Sequence, residues 1–200
     1  CNNNFLWDKN LVNVNLGDVM FNNVRVQASK NYNKYYDISE MQQEATDVNH
    51  IFGKIVNVRN VNCTGSALCN FNFNINMIHK FKNASLVGRI DQFTVSKNNG
   101  FKLQWDNSTI ASDEMIGVVI LEIGTPSNTV VGGTVTTFSK LIPNSEKQIV
   151  ISGSDLSVFP SKAGLGILLI KGKSYTNTLP NSKKVRVTAA DIMSFVTNLD

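Results

Sequence analysis

The residues with the most chemistry to offer are three cysteines, Cys1, Cys63 and Cys69, in a chain of 200 residues. The chain starts at Cys1 rather than at Met. An N-terminal Cys is what remains when a bacterial lipoprotein leader is cut just before the Cys that then carries acyl chains. We therefore expect Cys1 to be lipidated, with those chains as its only cofactor. Two or more buried chains hold a protein stably to a membrane, at about 0.8 kcal/mol per buried CH₂. That leaves Cys63 and Cys69 as an even pair. The five residues between them can close a small disulfide loop in an oxidising periplasm. Two free thiols are the alternative. A metal site would need further His or Cys ligands close by, and the sequence around the pair has none.

Other chemistry is sparse. The two histidines are His50 and His79, and no Gly-x-Ser-x-Gly elbow accompanies them. His79 closes an alternating segment beside Lys80 and Lys82, which reads as an exposed strand end. No phosphate-cradling Gly-x-x-x-x-Gly-Lys or Gly-x-Gly-x-x-Gly run is present. Asp106-Asn107-Ser108-Thr109 and Asp113-Glu114 form an oxygen-rich loop of the kind that sometimes holds Ca²⁺, without the spacing of an EF-hand. We expect a non-enzyme without a metal site. Tyr32, Tyr35 and Tyr36 lie together in a polar stretch. Rings with little apolar sequence around them suit contact with a partner protein or stacking on sugar.

The elements that must position these groups are strands. Phe71, Phe73, Ile75 and Met77 alternate with Asn70, Asn72, Asn74 and Asn76, the period of a half-buried antiparallel strand. Val12–Leu16, Phe101–Trp105 and Lys184–Thr188 repeat that period. Val118–Ile123 and Ile167–Ile170 are apolar on both faces, which predicts central strands covered on both sides. Further strands are predicted over Val19–Val26, Lys54–Val61, Leu86–Val95, Val130–Phe138 and Gln148–Ile151. Asn98-Asn99-Gly100 is a hairpin signal. One helix is predicted over Asp37–His50, with Ile38, Met41, Ala45 and Val48 on one face. A short turn is predicted over Ser154–Phe159, capped by Ser154 or Asp155 and stopped by Pro160.

Composition sets the frame. Hydrophobic residues are 42% and charged residues 17%, which excludes a disordered chain. The counts of 13 Gly, 4 Pro and 3 Cys exclude collagen-like and disulfide-dense classes. No apolar run reaches the roughly 18 residues of a spanning helix. The net charge is +4. It is uneven, because eight Lys and Arg between Lys140 and Arg186 face only Glu146 and Asp155. Nucleic acid is a poor account of that charge in an envelope protein. The polar faces of strands, or a side turned to anionic headgroups, explain it better. The fold class is all-β, an antiparallel β-sandwich of immunoglobulin-like type. A smaller N-terminal β unit over 1–84 carries the lipid, and the sandwich spans 85–200.

The order Phe101-Lys102-Leu103-Gln104-Trp105-Asp106, Gly117–Glu122, Val150–Pro160 and Gly166–Gly172 resembles the immunoglobulin-like domain of Bacteroidota-type cell-envelope lipoproteins. The likeness covers about residues 86 to 190 and departs at Lys171, where the pattern has Arg. It implies an outer-membrane lipoprotein serving as accessory subunit beside a larger β-barrel protein. Asn2, Asn3 and Asn4, in place of acidic residues after the Cys, favour the periplasmic face. The alternative is a surface glycan-binding or adhesive lipoprotein.

Overall fold

A computed structural model describes residues 17–26, 51–65, 69–106, 110–124 and 135–200. Cys1, Tyr32, Tyr35, Tyr36, His50, the helix predicted over Asp37–His50 and the strand predicted over Val12–Leu16 lie outside the described residues. The described chain is all-β, with sheets that are antiparallel apart from one short parallel pairing, and one short helix. It separates into two compact units. The first comprises residues 1–77 and 175–187, and the second 78–174 and 188–200. The division falls between Met77 and Ile78, not after residue 84. The reason is pairing: Lys82–Val87 is a strand hydrogen-bonded to Phe101–Asp106, so these residues belong to the second unit.

In the first unit, β1 (Asp18–Phe21), β2 (Val24–Val26), β3 (Ile55–Val61) and β4 (Asn72–Asn76) form a sheet in the order β2-β1-β3-β4. The single strand predicted over Val19–Val26 is instead a hairpin. Asn22 takes a left-handed φ of 54°, a conformation that Asn tolerates better than most residues. Its amide and side chain both bond Asn57, at 2.8 Å each. Alternation then sorts the faces. Val56, Val58 and Ile75 are buried, while Asn57 bonds Asn72 and Asn74 across the neighbouring strand at 2.7 and 3.0 Å. Much of the chain's Asn content thus serves as turns and as a polar sheet face.

The second unit is a β-sandwich. A three-stranded sheet has the order β10-β7-β5, from β5 (Lys82–Val87), β7 (Phe101–Asp106) and β10 (Gln148–Ile151). A five-stranded sheet has the order β6-β12-β11-β8-β9, from β6 (Thr94–Val95), β8 (Met115–Gly124), β9 (Thr137–Ile142), β11 (Gly164–Thr178) and β12 (Lys184–Leu199), of which residues 175–178 and 184–187 fall in the first unit. Phe101, Leu103 and Trp105 of one sheet pack with Ile116, Val118, Ile120, Leu165, Ile167 and Leu169 of the other. Two devices close the ends. Gly100 sits at φ 71°, and a Cβ there would stand 2.0 Å from the Ile151 carbonyl oxygen. The helix α1 (Gly153–Leu156) is capped by Ser152, whose hydroxyl accepts from the Asp155 amide while the Asp155 carboxylate accepts from the Ser152 amide. Asp155 is therefore the third residue of a capping box rather than the cap. That backbone bond holds its carboxyl below the usual range.

Candidate functional site

Strand alternation gives the five-stranded sheet a second face, opposite the core. Pairing of β8 with β9 sets Leu141 beside Gly117, Ser139 beside Val119 and Thr137 beside Leu121. Pairing of β8 with β11 sets Val119 beside Leu168, Gly117 beside Ile170 and Met115 beside Gly172. On β12, Ala190 and Asn198 lie next to Gly172 and Gly164, so Ile192, Ser194 and Val196 share this face with them. Met115, Leu141, Ile192 and Val196 are 56%, 62%, 53% and 63% exposed. None of these positions carries a charge. Glycines 117, 164, 166 and 172 interrupt the aliphatic side chains and keep the surface low.

The three-stranded sheet does the opposite, and the contrast is informative. Its outer face sets Gln104 between Ser85 and Gln148, and Lys102 between Val87 and Val150. Gln104 donates to Gln148 at 3.3 Å, and the Lys102 stem can lie along the two valines with its ammonium in water. That is the ordinary solvent face of a sandwich sheet. The five-stranded sheet carries Thr137, Ser139, Ser194 and Asn198 on this face, but within the second unit no charge and few other polar groups. Val118–Ile123 and Ile167–Ile170, expected to be covered on both sides, are covered by the sandwich core on one. A two-layer unit offers them a single layer to pack against.

At the β6 edge of this face a tight loop presents Phe93. The Phe93 amide donates to the Asp91 carboxylate at 2.7 Å and its carbonyl accepts from the Asn198 amide at 2.7 Å. The amide contact also holds the Asp91 carboxyl below its usual range. Arg89, Gln92, Phe93, Val196, Thr197 and Asn198 line an open cleft of about 310 Å³ there. The sequence pattern merged this loop into a strand over Leu86–Val95.

Inside the sandwich lies a polar node that the charge pattern missed. Lys171 is fully buried on β11 and its Nζ stands 4.9 Å from the centre of the Phe81 ring. Phe81 meets Trp105 edge-on at 6.4 Å between centroids. Glu114 is buried at the start of β8. Lys171 Nζ, Glu114 Oε2 and Trp105 Nε1 make no hydrogen bond to the described protein atoms. Burial pushes the Glu114 carboxyl up and the Lys171 ammonium down, while each charge partly offsets the shift of the other. Asp191 adds a second negative charge towards Lys171 and accepts from the Phe81 amide. Lys171, one of the eight basic residues assigned to a surface face, is thus an interior residue.

The remaining expected positions separate. Cys63 and Cys69 are joined by a disulfide in the first unit, with Cα atoms 5.4 Å apart. His79 is exposed. Asp113, in the oxygen-rich loop, is ion-paired with Lys173, which holds its carboxyl low. Among the described residues no three His, Cys, Asp or Glu side chains gather as metal ligands. Comparison with models of known protein families and with curated proteins returns no match.

Proposed function

We propose that this chain is a non-enzymatic outer-membrane lipoprotein, anchored through acyl chains on Cys1, that serves as accessory subunit of a membrane complex containing a β-barrel protein. The observation that carries the reading is the largely apolar outer face of the five-stranded sheet, which within the second unit carries no charge. Soluble monomers rarely leave so contiguous an apolar surface open to water. The disulfide between Cys63 and Cys69 suits an oxidising compartment, and Asn2 to Asn4 favour the periplasmic side of the membrane. Tyr32, Tyr35 and Tyr36 supply aromatic contacts of the kind found at interface hot spots.

The test is a pull-down with an affinity tag after Asp200, which leaves Cys1 free for lipid, from gently solubilised membranes of the source cells. A large outer-membrane barrel in stoichiometric amount is the expected result. Recovery of the chain alone overturns the accessory role. Incorporation of a labelled fatty acid, lost in Cys1→Ala, tests the anchor. A second reading, glycan binding at the cell surface, is favoured by Phe93. This exposed ring stands in the cleft beside the polar side chains of Arg89, Gln92 and Asn198. Protease accessibility on intact cells separates the two, because only the glycan reading needs the surface.

A further inference from the structure

We infer that the outer face of the five-stranded sheet pairs with the same face of a second copy of this chain, sheet against sheet. The inference rests on the reading of that face as a partner surface and names its occupant. Charge selects the occupant first. Within the second unit no Lys, Arg, Asp or Glu stands among the outward positions of β8 and β9, of β11 from Gly164 to Gly172 and of β12 from Ala190 to Asn198; Lys184 and Arg186 continue the alternation of β12 only in its first-unit end. A partner bringing charges to this face would bury them without a counterion, which is costly. The matching surface must itself be aliphatic and uncharged, and this face meets that requirement. A two-fold pairing also asks nothing new of the sequence, because one patch supplies both sides.

Shape agrees with charge. The face has raised side chains, Val119, Leu168, Ile170 and Ile192, beside low positions at Gly117 and Gly166. In a two-fold pairing the high positions of one copy can settle over the low positions of the other. Two sheets with the same handed twist pack with their strands about 30° apart, so two copies match in curvature without adjustment.

The area is sufficient. Residues Met115 to Ile123 of β8 run about 30 Å at about 3.4 Å per residue. The four strands β9, β8, β11 and β12 span about 19 Å at about 4.8 Å each. The projected face is therefore on the order of 600 Å², before side-chain relief is counted, at the lower end of the roughly 600 to 1,000 Å² per partner in specific interfaces.

The test uses the whole chain with its disulfide intact and Cys1 alkylated, so that no intermolecular disulfide forms. Analytical ultracentrifugation from about 1 to 100 μM measures the mass. A reversible dimer is expected. Leu168→Glu and, at a more exposed position, Ile192→Glu should each weaken it by at least about 100-fold, since a charge enters the interface twice. Val150→Glu, on the outer face of the three-stranded sheet, should leave the dimer unchanged. Circular dichroism checks that each variant folds, and the Ile192 variant decides if the Leu168 variant does not. A wild-type monomer at 100 μM overturns the proposal. So does a dimer that survives Ile192→Glu, or one that Val150→Glu dissociates equally. A monomeric chain that still recovers a barrel refutes the pairing and leaves the accessory role standing. A dimer recovered without a barrel does the reverse.

Discussion

Replacing Lys171 and Glu114 separately and together tests whether the interior node is held by compensation of charge. Lys171 is fully buried and Glu114 nearly so, and Lys171 Nζ and Glu114 Oε2 find no hydrogen bond among the described residues. Removing one member of such a pair leaves a buried charge without its counterion, which costs about 3 to 5 kcal/mol. Glu114→Gln should therefore lower stability at pH 7 by about 3 kcal/mol, or about 6 to 12 °C in Tm for a chain of this size. Lys171→Met should cost a similar amount. The double variant Lys171→Met with Glu114→Leu removes both charges and should lie within about 1 kcal/mol of wild type or above it. The pH dependence of the singles differs in sign. Lys171 has a folded pKa below its unfolded 10.5, so in Glu114→Gln the native state sheds its proton first and stability recovers as pH rises towards 10. Glu114 has a folded pKa above its unfolded 4.5, so in Lys171→Met stability recovers as pH falls towards 4.5. Trp105 sits in the same cluster and reports urea unfolding by fluorescence in a Trp7→Phe background. A double variant as unstable as the singles, or singles that shift in the same direction with pH, would refute the reasoning.

Other consequences follow from single contacts. Gly100→Ala forces a Cβ against the Ile151 carbonyl at a positive φ and should cost at least about 2 kcal/mol in the same urea assay. Ser152→Ala opens the capping box and should cost about 1 kcal/mol. The disulfide spans six residues of sequence, so Cys63→Ser with Cys69→Ser should lower the stability of the first unit by about 2 kcal/mol. The Trp105 transition of the second unit should not move. Asp155 titrates below its unfolded 3.8 because the Ser152 amide bonds its carboxylate. The stability it supplies is present above pH 3.8 and lost as pH falls through the lower folded value, a loss that Asp155→Asn should abolish in acid unfolding curves.

How far the fold was legible depends on how local its cause is. The alternation at Phe71 to Met77 and at Phe101 to Trp105 places β4 and β7 nearly to the residue, because the period of two is a property of the strand alone. The turn at Asn98 to Gly100 is equally local, but β6 and β7, which it joins, lie in different sheets and do not pair as the expected hairpin. The errors arise where another element decides. Val19 to Val26 has a strand-like composition throughout, yet Asn22 turns it back so that β1 can pair β3. β11 and β12 run 15 and 16 residues, far beyond their apolar segments, because Thr and Ser extend a ladder as well as Val does. Asp155 reads as a cap until Ser152, three residues before it, accepts its amide.

The face proposed as an interface shows where reading from sequence alone stops. Val118 to Ile123 and Ile167 to Ile170 announce that both sides of these strands avoid water. The side chains carry that statement, and it is independent of what lies above them. A chain that meets the demand within one sandwich and a chain that meets it with a partner have the same pattern. What separates them is the number of layers. The second unit has two, and its core takes Ile116, Val118, Ile120, Leu165, Ile167 and Leu169, leaving Val119, Leu121, Leu168 and Ile170 on the far side. A strand apolar on both faces in a two-layer fold is therefore a conflict between local pattern and global architecture. Such conflicts are expected at functional sites. Here the polar outer face of the neighbouring three-stranded sheet shows that the same chain dresses a sheet for water when water is what it faces.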